Sequence, residues 1–436
     1  MIRFFLIWLI ALVVKIAISC LLPLAPDEAY YWVWSHYPSL SYFDHPAMVS
    51  WLFWLGQYFS FVPHGERIPA IVLNHSLLLI WFAIFKDIWS EKLTYRWLAL
   101  ALASPFLGLG SLLVTPDSPV LFFWTLSLYF VYQYLKTPRL WLAAALGLSL
   151  GLGFTSKYHI VLLVLGVFAY LTFEKKWKSV RLEDVFAIVA GGLITSSPVI
   201  LWNIQNDFAS FKFQLNHGLG KNEWQHHWTS DYVLGQLLAF FPTLLFLFWQ
   251  GRRYRQLRLF FWVSLIPWVV FFFSSFRGAV QANWPIVSYY SALVLVIASN
   301  PSLKHIKAVI AFWAAAGIFV VSLWIYPWIE KAPDKVTEVH QIREALKESK
   351  AYQPLFGGSY QIASVLWYYG GTPVYKLRDM SRRDFFDEIS GSIPSTPRFY
   401  VVREKGQALP EWLNQQNPHV NVVKEFTKHE LIEVTP

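Results

Sequence analysis

The stretch IRFFLIWLIALVVKIAISCLLP, residues 2–23, decides the class of fold, because it is apolar over the length that a helix needs to cross a bilayer. The segment LAPDEAYYWVW follows at 24–34 and places two acids, Asp27 and Glu28, beside a group of aromatic side chains. In the whole chain 56% of residues are hydrophobic and only 14% are charged, too few charges to cover a soluble globule. The sequence therefore predicts an α-helical polytopic membrane protein, with Lys15 inside its first helix.

Apolar runs of about 17–25 residues recur along the chain and predict further membrane spans. We expect about eleven transmembrane helices, at 2–23, 67–89, 93–111, 118–136, 139–155, 158–173, 184–203, 232–250, 258–275, 283–299 and 306–326. Residues 1–330 would thus form a transmembrane domain. Beyond it, 331–436 is rich in charge and contains a helical pattern at 337–350 and short β-rich pieces such as 398–403, which predict a small soluble α/β domain.

The positions of the basic residues predict which side of the membrane each loop faces. If 46–62 does not cross, one set of loops carries most of the positive charge, at Lys86, Lys92, Arg96, Lys136, Arg139, Lys175, Lys176, Lys178, Arg181, Arg252, Arg253, Arg255, Arg258, Lys304 and Lys307. The opposite loops carry only Arg67, Lys157, Lys212, Lys221 and Arg277. By the positive-inside rule the N-terminus is cytoplasmic and the C-terminal domain periplasmic. Residues 28–62 are then expected to form helices in the outer interface.

The outward loops hold polar residues that suit a reaction on a lipid phosphate. Lys157 and Arg277 could hold a phosphate diester and stabilise the charge that develops on it as a leaving group. A carboxylate such as Asp27 could take the proton from an attacking hydroxyl or amine. Together these groups predict glycosyl transfer from a polyprenyl-phosphate-linked sugar at the membrane surface.

Each of these residues also has a structural interpretation. Asp27 and Asp117 could be acids that stabilise the first turn of a helix, and Lys157 and Arg277 could be basic anchors at helix ends. His45 could be an interfacial histidine without a metal. A metal site is weakly indicated in the loop 204–231, at His217, Glu223, His226 and His227. What favours chemistry is the predicted placement of the polar residues on one side of the membrane.

Six short motifs resemble the bacterial members of glycosyltransferase family 39, a group of the GT-C superfamily that includes protein O-mannosyltransferases and the aminoarabinose transferases that modify lipid A. The motifs occur in order over about residues 1–300: Pro26-Asp-Glu-Ala-Tyr-Tyr-Trp32, Tyr42-Phe-Asp-His-Pro46, Thr115-Pro-Asp-Ser-Pro119, Ser156-Lys-Tyr158, Pro198-Val-Ile-Leu-Trp-Asn203 and Ala282-Asn-Trp-Pro285. Each is short, and the series is more specific than any member. The resemblance implies a GT-C fold with a C-terminal domain on the outer side.

The resemblance also implies roles for individual residues. Asp27 would contact the acceptor and act as the base, with Glu28 beside it, and Asp117 would line the same cavity. Lys157, with Arg277 second, would hold the lipid phosphate, and Tyr158 and Asn283 would bind substrate. The aminoarabinose transferases tend to have Glu-Lys-Pro-Pro where this chain has Asp44-His45-Pro46-Ala47, so His45 could replace the missing lysine if it is protonated. No cofactor is required by this reading, and a divalent metal is left open.

The expected function is therefore that of a glycosyltransferase of the bacterial inner membrane, which moves a hexose or pentose to an envelope acceptor. A lipid A-like glycolipid or another glycan is favoured as acceptor over a protein Ser or Thr. The main alternative is a transporter or flippase of lipid-linked substrates, although the sequence shows no convincing internal repeat. A sensory protein that acts through its C-terminal domain is a further alternative, and no feature indicates a nucleic acid as partner.

Overall fold

A computed structural model describes residues 2–218, 223–329 and 332–435. Its α-helices in chain order are α1 (Ile2–Leu21), α2 (Pro26–Trp34), α3 (Met48–Gly56), α4 (Ile68–Ile88), α5 (Glu91–Ala103), α6 (Asp117–Lys136), α7 (Leu140–Ser156), α8 (Val161–Phe173), α9 (Leu182–Gln205), α10 (Ala209–Gly218), α11 (His226–Phe240), α12 (Pro242–Gly251), α13 (Arg258–Ser274), α14 (Tyr289–Ala298), α15 (Leu303–Ile325), α16 (Asp334–Ser349), α17 (Tyr360–Gly370) and α18 (Glu411–Asn414). The strands are β1 (Leu355–Gly357), β2 (Tyr375–Lys376), β3 (Phe399–Glu404), β4 (His419–Glu425) and β5 (His429–Thr435).

The apolar helices confirm a mostly helical, multi-pass membrane protein. Within the described ranges, five helices are long and apolar enough to cross a membrane: Ile2–Leu21, Gly65–Ile88, Leu182–Gln205, Arg255–Ser274 and Leu303–Ile325. The helices α11 and α12 form a further apolar pair that bends by 79° at Phe241. Shorter apolar helices lie at Leu140–Ser156, Tyr158–Phe173 and Trp284–Ala298. The number of eleven spans stays a prediction.

One predicted span, 93–111, is interrupted in the structure. Helix α5 ends at Ala103, Ser104 is extended at φ −59° and ψ 138°, and a π-helical turn follows at Pro105–Leu109. Proline disfavours the helical conformation in the residue before it and cannot donate a backbone hydrogen bond. The Ser104–Pro105 pair therefore ends the helix inside an apolar run.

The chain packs into two compact units. Unit 1 comprises Met1–Ser19, Ser39–Val49 and Arg67–Ile318, and unit 2 comprises Cys20–Pro38, Ser50–Glu66 and Phe319–Pro436. The C-terminal residues thus share a unit with two segments from the start of the chain, which include α2. The division into a transmembrane domain at 1–330 and a soluble domain at 331–436 stays a prediction.

Unit 1 is a helical bundle around α14, in which every residue from Tyr289 to Ile297 is buried. Two further helices, α7 and α9, approach each other closely through glycines. A Cβ atom on Gly147 would lie 2.2 Å from the carbonyl oxygen of Ile188, so no larger side chain fits there without a shift of the backbone. Small residues permit this close approach of helices in membranes. The packed pair fixes the end of α7, which immediately precedes Lys157.

Unit 2 contains the small C-terminal sheet that the sequence predicts. Its strand order is β2-β1-β3-β5-β4, with β1 parallel to both β2 and β3, and β5 antiparallel to β3 and β4. Side chains of the sheet form an apolar core that includes Phe356, Val401 and Ile432, together with Leu377 just after β2. The predicted helix at 337–350 is α16, and the predicted strand at 398–403 is β3.

Candidate functional site

The clearest polar cluster of unit 1 forms around the carboxylate of Asp117. The ammonium of Lys157 lies 2.6 Å from Oδ1, and the side-chain amide of Asn283 donates to Oδ2 at 2.8 Å. Asp117 and Lys157 are each only 7% exposed, so solvent screens this pair weakly. Three motifs that are far apart in sequence therefore meet at one carboxylate.

Two members of this cluster, Asp117 and Lys157, are positioned by the ends of helices. Asp117 is the first residue of α6, and its backbone N–H donates to the Thr115 hydroxyl at 3.3 Å. Lys157 follows the last residue of α7 in an extended conformation, with its backbone N–H bonded to the Gly153 carbonyl at 2.9 Å. The extended backbone turns the Lys157 side chain away from the helix, toward Asp117.

Asn283 is held by a buried network that the sequence did not reveal. The Gln236 side chain donates to the carbonyl of Ala282 at 2.9 Å, next to Asn283. In turn the Tyr289 hydroxyl and the Trp268 indole donate to Oε1 of the Gln236 side chain at 2.7 and 3.2 Å. Gln236 lies within a predicted apolar span and belongs to no recognised motif. Its one signal in the sequence is that an amide in such a span requires hydrogen-bond partners.

Tyr158 and His45, two predicted substrate-binding residues, make other contacts in unit 1. The Tyr158 hydroxyl lies 2.8 Å from the Ser210 hydroxyl, and the side chain of Asn203 is close to it. His45 is half-buried, in a turn in which its carbonyl accepts the Tyr42 N–H at 3.2 Å. The imidazole of His159 lies within electrostatic range of both the Lys157 ammonium and the His45 imidazole.

Arg277, the second predicted phosphate-binding residue, lies on the turn after α13. Its side chain is exposed, and no side-chain hydrogen bond or ion pair of Arg277 is present in the described part of the chain. The guanidinium is thus available to an anion, but it does not join the Asp117 cluster.

In unit 2, Asp27 and Glu28 occupy the first turn of α2 and have different environments. Glu28 is fully buried, and its Oε2 accepts the backbone N–H of Ala25 at 2.9 Å, as in a capping box. Asp27 is exposed, and its Oδ1 accepts the Tyr360 hydroxyl of α17 at 3.2 Å. The contact of Glu28 is that of a helix cap, whereas the carboxylate of Asp27 faces outward from its helix. The predicted catalytic roles of both residues stay predictions.

The surroundings of Asp27 bring the segment after α1 and the C-terminal residues together within unit 2. The ring of Tyr360 stacks under the Arg382 guanidinium at 4.7 Å, and the Tyr30 hydroxyl accepts the backbone N–H of Phe385 at 2.8 Å. The backbone N–H of Leu24 donates to the Tyr369 hydroxyl at 2.8 Å. No sequence motif indicated these contacts.

The described residues contain no group of three or more His, Cys, Asp or Glu side chains that could hold a metal ion. The weakly indicated metal site includes His217, whose side chain lies outside the described residues. The remaining members are Glu223, His226 and His227, which are exposed.

The family model of the dolichyl-phosphate-mannose-protein mannosyltransferases matches residues 44–202, a segment that includes Asp117 and Lys157. The lipid A galacturonosyltransferase RgtD of Rhizobium johnstonii is 22% identical, over 62% of this chain and 59% of its own length. The undecaprenyl phosphate-alpha-4-amino-4-deoxy-L-arabinose arabinosyl transferase 2 of Pseudomonas fluorescens is 28% identical, over 56% of this chain and 52% of its own length. The chain thus spans little more than half the length of these relatives.

Solved structures show the same fold over nearly the whole chain. ArnT from Cupriavidus metallidurans bound to undecaprenyl phosphate superimposes with a TM-score of 0.69 at 12% identity, and apo ArnT with 0.72 at 13%. Each covers 99% of this chain and 98% of ArnT. The chain therefore has an ArnT-like GT-C fold, and the resemblance to glycosyltransferase family 39 is confirmed. Its apolar helices and relatives indicate a multi-pass protein of a bacterial inner membrane.

Proposed function

We propose that the chain is a glycosyltransferase that moves a sugar from a polyprenyl-phosphate donor to lipid A or another envelope glycan. The observation that carries the proposal is the Asp117 carboxylate bonded to both Lys157 and Asn283. The names of the relatives supply the reaction class, since they are a galacturonosyltransferase of lipid A and transferases of undecaprenyl-phosphate aminoarabinose. A hexose or a pentose is consistent with these names.

Lys157 is assigned to the lipid phosphate. An ammonium has three donors, and Asp117 is its one hydrogen-bond partner within the described ranges, which leaves two donors for phosphate oxygens. Asp117 and Asn283 would fix the position of the Lys157 ammonium before the lipid-linked sugar binds. A preorganised cation lowers the cost of forming a negative leaving group. Arg277 would add a second, more mobile cation, and His45 and Tyr158 would contact the substrate.

Asp27 is assigned as the base. In the proposed step the acceptor oxygen attacks the anomeric carbon, the bond from that carbon to the phosphate oxygen breaks, and polyprenyl phosphate leaves with the bonding electrons. The proton of the acceptor passes to the Asp27 carboxylate. A single displacement inverts the anomeric configuration. Asp27 is exposed, which suits direct contact with an acceptor, whereas buried Glu28 would support the helix that carries it.

The proposed location of the reaction is the outer face of the membrane, with the N-terminus cytoplasmic and the C-terminal residues periplasmic. The charge bias of the loops supports this orientation. Large apolar side chains on and after α3 are exposed and suit a helix in the membrane interface: Trp54 (46%), Tyr58 (71%) and Phe61 (80%). The proposed interfacial segment would hold the first outer loop at the depth of the lipid headgroups.

The test is mass spectrometry of envelope glycolipids from a host that lacks this protein, complemented with wild type or with Asp27→Asn. We expect wild type to restore a sugar-sized mass on one glycolipid and Asp27→Asn to restore none at an equal protein level. Restoration by both would refute the base assignment. If wild type restores no mass on any glycan, the transferase proposal itself fails.

Among the described residues, the feature that supports the alternative, a transporter or flippase, is Lys15. The ammonium of this buried residue of α1 donates to the Ser111 hydroxyl at 2.7 Å, and that hydroxyl donates to the Gly108 carbonyl at 2.7 Å. Ionisable residues inside membrane helices often line transport paths. Here the two hydrogen bonds join α1 to the interrupted segment after α5, so the role of Lys15 is structural. Movement of a labelled lipid-linked sugar across vesicles without an acceptor would favour transport.

A further inference from the structure

A second cluster of cations in unit 1 lies far in sequence from the proposed catalytic residues, at the turn between α12 and α13. A cavity of about 400 Å³ is lined there by Gln250, Arg252, Arg253 and Arg258. No carboxylate among the described residues lines it. Guanidinium groups bind phosphate oxygens through pairs of N–H donors, so the lining suits an anion with several oxygens.

The guanidinium groups of this cavity are all held by hydrogen bonds, but they differ in whether a carboxylate neutralises their charge. Arg258, the first residue of α13, pairs with Glu174 at 3.0 Å. Arg252 donates to the Trp249 carbonyl at 3.0 Å, and Arg253 donates to the Tyr254 hydroxyl at 2.9 Å. Within residues 2–218, 223–329 and 332–435, neither Arg252 nor Arg253 has a carboxylate partner. Two charges therefore remain to balance an anion.

Arg258, which lines the cavity, carries an additional donor. Its Nε atom is buried and has no hydrogen-bond partner in the described part of the protein. A buried polar atom without a partner costs free energy, which a bound acceptor would recover. The backbone N–H groups at the start of α13 also favour a negative charge there.

The neighbouring surface indicates that this anion is attached to a lipid. Helix α12 leads into the cavity, and its side chains Phe246 and Trp249 are 61% and 49% exposed, as expected for a surface against acyl chains. The guanidinium of Arg252 lies 4.0 Å from the centre of the Trp249 ring. Aromatic and basic side chains in this order are typical of the level of the lipid headgroups.

We propose that Arg252, Arg253 and Arg258 form a binding site for the phosphate headgroup of an anionic membrane phospholipid. The loops that carry them are those with most of the positive charge, so the lipid would come from the cytoplasmic leaflet, where such headgroups attract basic residues. The site is separate from the proposed sugar-transfer residues and does not depend on their assignment.

The experiment is native mass spectrometry of the purified full chain with added phosphatidylglycerol or zwitterionic phosphatidylethanolamine. We expect one phosphatidylglycerol to bind in preference to phosphatidylethanolamine, and Arg252→Gln/Arg253→Gln to weaken its binding roughly tenfold. The matched control is Arg255→Gln, because Arg255 is an exposed neighbour that does not line the cavity. This variant should bind as wild type does.

Three outcomes would overturn the proposal: equal binding of both lipids, equal loss in the control and the double variant, or displacement of the lipid by equimolar inorganic phosphate. The last result would identify a site for free phosphate. A photoreactive phosphatidylglycerol provides a second measurement on the wild-type protein, independent of any effect of the substitutions on folding. Crosslinks at 249–258 support the site, and crosslinks confined to other segments contradict it.

Discussion

The hydroxyl of Tyr360 donates a hydrogen bond to Asp27 Oδ1 at 3.2 Å, across 333 positions of the chain. The same tyrosine ring lies against the Arg382 guanidinium, 4.7 Å from its centre. The C-terminal residues thus contact the carboxylate that we assign as the base. Tyr360 is in this view a positioning residue, which holds the Asp27 carboxylate in one orientation.

Tyr360→Phe tests this relationship, because it removes one hydroxyl and keeps the ring. We expect kcat to fall by about threefold to tenfold, as for the loss of one partly exposed hydrogen bond to a charged group, with little change in the KM of the donor lipid. The matched control is Tyr368→Phe on the same helix, whose hydroxyl donates to Glu66 at 3.3 Å. Steady-state transfer assays on all three proteins provide the measurement.

A double substitution separates positioning from folding. If Tyr360 acts through Asp27, adding Tyr360→Phe to Asp27→Asn should produce no further loss of the residual rate. An additional loss of the same size in both backgrounds would show that Tyr360 acts independently of Asp27. Equal effects of Tyr360→Phe and Tyr368→Phe would likewise show that the Tyr360–Asp27 contact contributes only to general stability.

Lys157→Met should impair the use of the charged donor. Removal of the ammonium leaves Asp117 buried without its ion pair and the phosphate without a cation, so we expect kcat/KM for the polyprenyl-phosphate sugar to fall about a hundredfold. Lys212→Met is the control, since Lys212 is an exposed lysine of the loops predicted to face outward. A donor titration that is unchanged in Lys157→Met would place the phosphate elsewhere.

We expect the stability of the loop after β2 to depend on a buried group of charges. The Lys376 ammonium lies 2.7 Å from Asp384 and 2.6 Å from Asp387, with the lysine fully buried. Lys376→Met leaves two buried carboxylates without their cation, so we expect it to reduce the free energy of unfolding by about 3–5 kcal/mol. Lys405→Met breaks an exposed pair with Glu425 and should cost less than about 1 kcal/mol. Denaturant unfolding of the C-terminal residues, followed by hydrogen exchange, measures both.

The C-terminal sheet should become less stable in mild acid. Burial, with a smaller effect of nearby Lys428, lowers the pKa of His429 in β5 below its usual value. The unfolded chain therefore binds a proton that the folded sheet does not, so stability is full above about pH 6.5 and falls as the pH drops below it. Hydrogen exchange of 429–435, corrected for intrinsic rates, should accelerate between pH 7.5 and 5. His429→Gln should remove that pH dependence; its persistence would assign it to another group.

The sequence names all three members of the Asp117 cluster as candidate site residues, because each carries a local signal or lies in a motif of the family resemblance. Asp117 starts a helix after a Thr-Pro pair, Lys157 ends an apolar run, and Asn283 precedes a Trp-Pro pair. Charge bias then assigned all of them to one side of the membrane. That Lys157 and Asn283 both bond to the Asp117 carboxylate depends on tertiary structure, which periodicity and charge counts do not predict.

Other features had no local signal or had one that was outweighed. Gln236 lies in an apolar run, and Tyr360 is one of many aromatic residues, so neither differs from packing residues in the sequence. Pro105 did carry a signal, yet the apolar run around it favoured a continuous span at 93–111. Glu28 shows the converse case, because it lies in a motif but its carboxylate caps a helix. Arg277 was named for its charge in a loop predicted to face outward, and it stands apart from the Asp117 cluster.

The composition of unit 2 has a consequence for how the protein is made. Its segments 20–38 and 50–66 leave the ribosome well before 319–436. The hydrogen bonds of Leu24 with Tyr369 and of Tyr30 with Phe385 can therefore form only after Tyr369 and Phe385 have been translated. Contacts between residues so distant in sequence form late and slowly. The assigned base would reach its final setting only after Tyr360 has been translated, so a polypeptide that stops before this residue would remain inactive.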